Sequence, residues 1–309
     1  MRPLALAVDI GGTKVESALV DDTGALVPGS RHRRPTGPTA TSDELAAHVA
    51  QAVTATAAGL PDDGALVGCG IGAAGPVDLV DGLVSPLNLP VWRGFPLVDL
   101  VERALPGVPV TLRIDGLCIT LAEHWVGAGR GVGAMMGMVV STGIGGGFIL
   151  DGRAVASPTG NGGHVGHIEV GGFDDACPCG GTGCVEAVAS GPRTVAWARA
   201  QGFAGATGEE LAAAHAVGDA VAIAAVRRAG TAVGRAIASA TSLLDLDLVA
   251  IGGGFSHVAP EFFDHARAAL AERTGFGFVT RLEIVPSALS GDGPLIGAAA
   301  LVHRPHDLA

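Results

Sequence analysis

The sequence predicts an α/β protein built of two similar domains that face one another. Strands alternate with helices along 309 residues, a length that allows two packed cores. Residues 4–20 and residues 136–150 share one design, in which an apolar strand, a glycine-rich turn and a second strand follow in order. Because this design occurs twice, we expect two domains of one kind.

The other elements follow from hydrophobic periodicity and from helix start signals. We predict a first domain over residues 1–115 and a second over 116–292, with residues 293–309 returning to the first. Further buried strands are predicted at 66–71, 108–114, 246–251 and 281–285. Helices are predicted at 43–58, 117–126, 192–201, 208–243 with a break near Gly218, 260–272 and 293–302.

Composition excludes several classes of function. The net charge of −11 argues against a nucleic-acid partner, and the short basic run 31–34 is typical of a solvated strand end. We expect no DNA-binding helix-turn-helix, because the first strand starts almost at Met1. No apolar run is long enough to cross a bilayer. The cysteine count of 5 is odd, which favours a reducing compartment, so we predict a cytoplasmic protein.

Each glycine-rich turn carries the groups that phosphate binding needs. Residues 9–14 read DIGGTK, and residues 141–147 read STGIGGG. Backbone N–H groups and a hydroxyl can contact phosphate oxygens there, while Asp9 can hold Mg²⁺. An ordinary hairpin turn is the simpler interpretation of either one alone, but two of them favour phosphate binding. Neither is a Walker A loop, since the Gly-Lys-Ser/Thr ending is absent.

Three further positions have two interpretations each. Asp115 ends a predicted strand and can be a helix N-cap or the general base of a phosphoryl transfer. Asn88 can contact a sugar hydroxyl or form a turn before Pro90. The triplet 252–254 allows a flat base to approach the backbone, or simply ends a strand.

A metal site is predicted between residues 167 and 186. Cys177, Cys179 and Cys184 lie close together with glycines between them, and His167 is just upstream. Thiolates and imidazole are the ligands of a closed tetrahedral Zn²⁺ site. His164 is a second candidate for the imidazole. A zinc ion here would also hold Glu186 rigidly.

Taken together, these segments resemble the ROK family of sugar kinases over nearly the whole chain. The order of the motifs and the cysteine block are specific. The matching pieces are DIGGTK at 9–14, GIGAAGPVD at 70–78, NLPVW at 88–92, STGIGGG at 141–147, GH at 166–167, CPCGGTGCVE at 177–186 and LVAIGGGFS at 248–256.

The resemblance implies an actin-like ATPase (ribonuclease H-like) fold, a sugar in the interdomain cleft, Mg²⁺ with ATP, structural Zn²⁺ and a homodimer. It implies that Asp115 is the catalytic base that deprotonates a sugar hydroxyl, usually at C6. The residues it implies for the nucleotide and its phosphates are Asp9, Gly11, Gly12, Thr13, Lys14, Thr142, Gly143, Gly253 and Gly254. For the sugar they are Asn88, His164, His167 and Glu186, and for zinc His167, Cys177, Cys179 and Cys184.

The sequence departs from the family pattern at two positions, both assigned to the sugar. Ile114 replaces an Asn that touches sugar hydroxyls, and His164 replaces a Glu that clamps the hydroxyls near C1 and C2. Three hypotheses follow: a kinase for a hexose such as glucose, a kinase for N-acetylmannosamine, N-acetylglucosamine or another hexose, or a regulatory sugar-binding protein with weak catalysis. The presence of Asp115 favours the enzymes. The sugar itself, and ATP against polyphosphate as the donor, stay open.

Overall fold

The computed structural model describes residues 1–155, 157–272 and 275–308. In chain order the strands are β1 (Arg2–Ile10), β2 (Lys14–Asp21), β3 (His32–Pro35), β4 (Gly64–Ala73), β5 (Val77–Asp78), β6 (Leu83–Val84), β7 (Phe95–Pro96), β8 (Val110–Ile114), β9 (Met135–Val140), β10 (Ile144–Leu150), β11 (Arg153–Ala154), β12 (Leu248–Gly252) and β13 (Glu283–Pro286). The helices are α1 (Ser42–Ala58), α2 (Leu97–Ala104), α3 (Asp115–Val126), α4 (Val185–Ala189), α5 (Gly191–Ala200), α6 (Gly208–Ala216), α7 (Ala220–Leu244), α8 (Glu261–Ala271), α9 (Gly277–Thr280) and α10 (Gly293–His303).

Two five-stranded sheets have the same topology. The first has the order β3-β2-β1-β4-β8 and the second the order β11-β10-β9-β12-β13. In each, the first three strands are antiparallel and the last three are parallel. A small third sheet, β5-β6-β7, extends from the first. The prediction of an α/β protein with two similar domains is confirmed.

The parallel strands decide where the functional segments lie. Strands β1, β4 and β8 run in one direction, so their carboxyl ends share an edge of the first sheet. The first glycine-rich turn follows β1 at this edge, and Asp115 follows β8. In the second sheet, β9 and β12 are parallel in the same way, so the turns after Val140 and after Gly252 are neighbours. Ligand groups that are distant in sequence therefore meet at two sheet edges.

Helix α3 packs against both sheets. It contacts β4 and β8 of the first sheet and β9 and β10 of the second. Its start lies directly on β10, because a β-carbon on Gly116 would overlap the backbone of Gly146. Core residues of both sheets, such as Leu112 and Ile149, belong to one hydrophobic cluster with Leu121 of this helix. Helix α3 is therefore the structural link between the two halves.

Helix α10 crosses α3 and packs on the first sheet. A side chain on Gly297 would overlap the carbonyl of Cys118 in α3, and one on Gly70 in β4 would overlap the carbonyl of Ala298. Helix α10 also contacts β1 and β2 of the first sheet. The assignment of residues 293–309 to the first domain stays a prediction, and this contact supports it.

Most predicted elements form, with shifted ends. The break near Gly218 is confirmed, since that residue has φ +86° and separates α6 from α7. The side chain of Asp219 then accepts a hydrogen bond from the N–H of Ala222 and starts α7. The strand predicted from residue 281 begins only at Glu283, because Arg281 still belongs to the end of α9. Helices α2, α4 and α9, strand β11 and the small sheet were missed; all of these except α2 are too short to show a period.

Within the described residues, no helix has the length and apolar character needed to span a membrane.

We expect Gly297→Ala to destabilise the protein by about 3 kcal/mol, because the added methyl forces α10 away from the Cys118 carbonyl. Unfolding in urea would measure the change. Gly293→Ala is the matched control in the same helix: its β-carbon would lie 3.6 Å from Leu289, an ordinary contact, so its effect should stay within about 1 kcal/mol. Equal stability of the two variants would contradict the close crossing.

Candidate active site

The first glycine-rich turn leaves donors free. The N–H of Gly11 bonds the carbonyl of Lys14 at 2.9 Å, while the Thr36 hydroxyl donates to the Gly11 carbonyl at 2.7 Å and the Thr36 N–H donates to the Thr13 carbonyl at 3.0 Å. The carbonyls of the turn are thus used. Among the described residues, nothing accepts a hydrogen bond from the N–H groups of Gly12 and Thr13. Free N–H groups of this kind suit an anion such as phosphate.

The second turn is arranged in the same way. The N–H of Ser141 bonds the carbonyl of Gly143 at 2.9 Å, and its own carbonyl accepts the N–H of Gly191 at 2.8 Å. The N–H groups of Thr142 and Gly143 have no acceptor within the part of the chain that is described. The predicted nucleotide residues Gly253 and Gly254 lie beside this turn: a β-carbon on Gly254 would be 4.0 Å from Ser141 Oγ.

Asp115 is the first residue of α3, and Ile114 occupies the N-cap position. The carboxylate accepts a hydrogen bond from the adjacent Gly116 N–H at 2.7 Å, whereas an N-cap side chain bonds an N–H two or three residues further on. The N-cap interpretation is therefore wrong. Asp115 Oδ1 faces the second turn, since a β-carbon on Gly145 would lie 3.7 Å from it.

Asp9 and Asp115 are close enough for the charge of Asp115 to raise the pKa of Asp9. Burial raises the pKa of Asp9, and the charge of Asp115 raises it further, to about 7, against the attraction of Lys14. Burial also raises the pKa of Asp115; the Gly116 N–H lowers it, and the charge of Glu186 raises it again. Two carboxyls with raised pKa values at one sheet edge are typical of a functional site.

Lys14 does not point freely into the site. Its ammonium pairs with Glu16, which also accepts hydrogen bonds from Arg31 at 3.0 Å and Arg33 at 2.9 Å. Burial raises the pKa of Glu16, but these three cations outweigh burial and lower it to about 2. Glu16 is therefore ionised at neutral pH and holds Lys14. A phosphate contact from Lys14 stays a prediction.

Glu186 supports the second turn. Its Oε2 accepts the N–H of Ile144 at 2.7 Å, and a β-carbon on Gly143 would lie 2.7 Å from the same oxygen. Nothing in the described residues donates to its other oxygen, so that one is available to a ligand. Asn88 lies at the first turn, where a β-carbon on Gly12 would be 2.7 Å from its Nδ2.

The predicted zinc ligands come together. One ligand atom from each of His167, Cys177, Cys179 and Cys184 lies within 4.8 Å of all the others. His167 Nδ1 is 3.6 Å from Cys177 Sγ, and Cys179 Sγ is 3.7 Å from Cys184 Sγ. Tetrahedral Zn²⁺ with ordinary bond lengths requires about 3.6 Å and about 3.8 Å for these separations. The residues therefore fit a structural zinc ion.

His164 lies apart from this cluster. Its Nε2 is 3.5 Å from Asn161 Oδ1, and its ring is centred 6.0 Å from the ring of His167. Burial lowers the pKa of His164, and the charge of His167 lowers it further, so the ring is neutral at pH 7. Because His167 Nδ1 faces Cys177, its Nε2 is left for a second partner.

Two residues that brace the site were missed from the sequence. Thr36 holds the first turn through Gly11 and Thr13, and Asn161 joins two distant loops through Val77. Neither belongs to a motif, and the bonds that brace the site are to backbone groups of Gly11, Thr13 and Val77. Their only sequence signal is a polar residue next to glycine, which is common in loops.

Comparison with known proteins identifies the family. The family model described as "ROK family" matches residues 5–305. The chain belongs to the ROK family. A glucokinase of Thermotoga maritima is 30% identical, with 96% of each chain covered. An N-acetylmannosamine kinase of Citrobacter koseri is 32% identical, covering 96% of this chain and 97% of that protein.

A solved structure extends the match to three dimensions. The ROK family glucokinase from Streptomyces griseus, in complex with glucose and AMPPNP, is 30% identical and superposes with a TM-score of 0.83, covering 97% of this chain and 99% of that one. The actin-like ATPase fold implied by the resemblance is therefore confirmed. In this ROK protein the first glycine-rich turn and Asp115 lie at one edge of the first sheet, and the second turn lies at the edge of the second sheet that Asp115 faces.

Purified protein should contain about one zinc ion per chain by mass spectrometry of metals. We expect His167→Ala to lose most of it, because three thiolates lack the fourth ligand, and His164→Ala to retain it. The second variant is the matched control, since it removes a neighbouring imidazole. Zinc lost only in His164→Ala would overturn the ligand assignment.

Asp9→Asn should stabilise the protein at pH 8 without added magnesium. Between pH 3.8 and about 7, folded Asp9 keeps a proton that the unfolded chain has released, so its stabilising contribution is full at low pH and lost as pH rises. The neutral amide removes this loss. The free energy of unfolding of Asp9→Asn, measured with denaturant, should exceed that of the wild type only slightly near pH 4 and by about 2–4 kcal/mol at pH 8. A pH-independent difference would contradict the raised pKa.

Proposed function

We propose that this ROK protein transfers the γ-phosphoryl group of ATP to a hydroxyl of a hexose, at C6, with Asp115 as the general base. One observation carries the proposal: the Asp115 carboxylate faces the second glycine-rich turn and lies close to Asp9 beside the first. A base between two phosphate-binding turns is what in-line phosphoryl transfer needs. The names of the relatives, which include glucokinases, support the sugar as acceptor.

The chemistry assigns one role to each group. Asp115 accepts the proton as the sugar oxygen attacks the γ-phosphorus, and the bond from phosphorus to the leaving ADP oxygen breaks. The raised pKa of Asp115 makes it a better proton acceptor than an ordinary carboxylate. The free N–H groups of Gly12, Thr13, Thr142 and Gly143 would hold phosphate oxygens against developing charge. Mg²⁺ bound with ATP would supply further positive charge, and Asp9 is the residue that would hold it.

The zinc cluster has a supporting role in this proposal. A structural Zn²⁺ would fix His167 through Nδ1 and leave its Nε2 for a sugar hydroxyl. The same segment carries Glu186, whose Oε2 bonds Ile144 while its other oxygen is available to a sugar hydroxyl. The metal would thus organise sugar-binding groups without taking part in the reaction.

A second candidate is a kinase for an N-acetylhexosamine. Ile114 and His164 replace two polar residues of the family pattern, and both lie against Gly75. An apolar side chain beside a neutral imidazole suits an acetamido group better than two adjacent hydroxyls. N-acetylmannosamine kinases are among the relatives. A regulatory role without catalysis is the weaker alternative, because Asp9 and Asp115 are both present. A homodimer and a cytoplasmic location stay predictions.

A coupled assay of ADP release against a panel of hexoses and N-acetylhexosamines tests the function. We expect turnover with at least one sugar in the presence of Mg·ATP. Asp115→Asn should lower kcat by about 10²–10⁴-fold, because the amide cannot accept the proton. Sugar affinity should stay near that of the wild type.

Asp99→Asn is the control for that variant, since Asp99 is an exposed carboxylate in the first turn of α2. It should retain full activity. Wild-type protein that turns over ATP with no sugar of the panel would overturn the proposed function, and an active Asp115→Asn would overturn the role of the base.

A further inference from the structure

The loop 157–164 runs alongside the segment 75–79 in the opposite direction. A β-carbon on Gly160 would overlap the side chain of Leu79, and one on Gly75 would lie 2.7 Å from the His164 ring. Between these contacts Asn161 bonds Val77. The three contacts follow one another in order, so the two segments are paired along their length.

This pairing joins the two halves of the protein. Val77 lies in β5, which directly follows β4 of the first sheet. The loop 157–164 follows β11, which is an outer strand of the second sheet. The contact therefore joins the two halves, and its Gly75 end lies against Ile114, the residue that precedes Asp115.

The contact between Asn161 and Val77 uses both the oxygen and the nitrogen of the side-chain amide. Its Oδ1 accepts the N–H of Val77 at 2.8 Å, and its Nδ2 donates to the Val77 carbonyl at 2.7 Å. A reversed amide would set donor against donor and acceptor against acceptor, so the orientation is fixed. Nδ2 also lies 3.1 Å from the Thr159 carbonyl within its own loop. Asn161 thus pairs with Val77 as a neighbouring strand would.

His164 is held between this amide and the first sheet. Its Nε2 is 3.5 Å from Asn161 Oδ1, on one side of the ring. On the other side, the position of a β-carbon on Gly75 is 2.8 Å from Nε2 and 3.3 Å from Ile114 Cγ2. Gly75 therefore leaves the space that the ring needs. Ile114 and His164 form one wall immediately before the proposed base.

We propose that Asn161 is a positioning residue for sugar selection: by bonding Val77 of the other half it holds His164 against Gly75 beside Ile114. This inference rests on the proposed sugar kinase activity. The nucleotide would bind at the two glycine-rich turns, with which Asn161 makes no hydrogen bond among the described residues. The effect of Asn161 is therefore specific to the sugar.

Steady-state kinetics of Asn161→Ala test this role. We expect KM for the best sugar of the panel to rise about tenfold, as the loss of two hydrogen bonds implies, while KM for ATP changes less than about twofold. The ratio of kcat/KM between glucose and N-acetylmannosamine should also change. Asn161→Asp keeps the size and the acceptor for the Val77 N–H, but opposes the Val77 carbonyl, so it should show the same pattern in a folded protein.

Ser157→Ala is the matched control in the same loop. Ser157 Oγ accepts the N–H of Gly162 at 2.7 Å, a bond that stays within the loop. We expect this variant to keep the sugar KM and the selectivity ratio of the wild type. Equal effects of Ser157→Ala and Asn161→Ala would show that only loop stability matters, and would overturn the proposal.

A double-mutant cycle separates positioning from direct contact. If Asn161 acts through His164, then Asn161→Ala should have little further effect on the sugar KM in a His164→Ala background. Additive effects would overturn action through His164. Active wild-type protein with an unchanged Asn161→Ala would overturn this inference alone, whereas wild-type protein that neither binds nor phosphorylates any sugar would overturn the proposed function as well.

Discussion

Helix α3 lies on strand β10 with no side chain between them, because Gly116 faces the backbone of Gly146 where a β-carbon would overlap. The same helix is crossed by α10 at Gly297, again backbone against backbone. These two approaches fix one helix against both sheets. Since Asp115 is the first residue of that helix, the packing that joins the halves also sets the position of the proposed base. The stability of the fold and the proposed chemistry therefore both depend on the packing of this helix.

The charges of the site follow from this packing. Asp9 lies near the end of β1 and Asp115 directly follows β8, and one strand, β4, separates β1 from β8 in the first sheet. Burial raises the pKa values of both carboxyls above the ordinary value. Each buried carboxyl is costly to ionise without a cation that binds it directly. Lys14 and Arg31 are near Asp9, but both bond Glu16 instead. The site is therefore short of positive charge, and an incoming Mg·ATP would relieve the repulsion between the two carboxylates.

In the proposed function, the groups that would contact the sugar differ in kind from those that would contact phosphate. Phosphate contacts would come from backbone N–H groups in turns, which depend little on side-chain identity. Sugar contacts would come from side chains such as His164 and Asn88, whose positions depend on neighbouring loops. Sequence changes at Ile114 and His164 can therefore alter selectivity while the turns and Asp115 stay as they are. Both changes lie around Gly75, so they act as one wall rather than as two separate losses.

The sequence by itself determined the α/β class, the two related sheets, the glycine-rich turns and the three cysteines of a candidate metal site, but it left both His164 and His167 as candidates for the imidazole. Each of these depends on local spacing, since strands, turns and a cysteine block are short segments whose residues lie close in the chain. It could not decide whether Asp115 caps helix α3, because the fold sets where that helix starts and which N–H group the carboxylate bonds. It gave no sign that Arg31 and Arg33 bond Glu16 or that Asn161 bonds Val77. Only the tertiary structure decided these points, because hydrogen bonds between distant segments leave no period or spacing in a sequence.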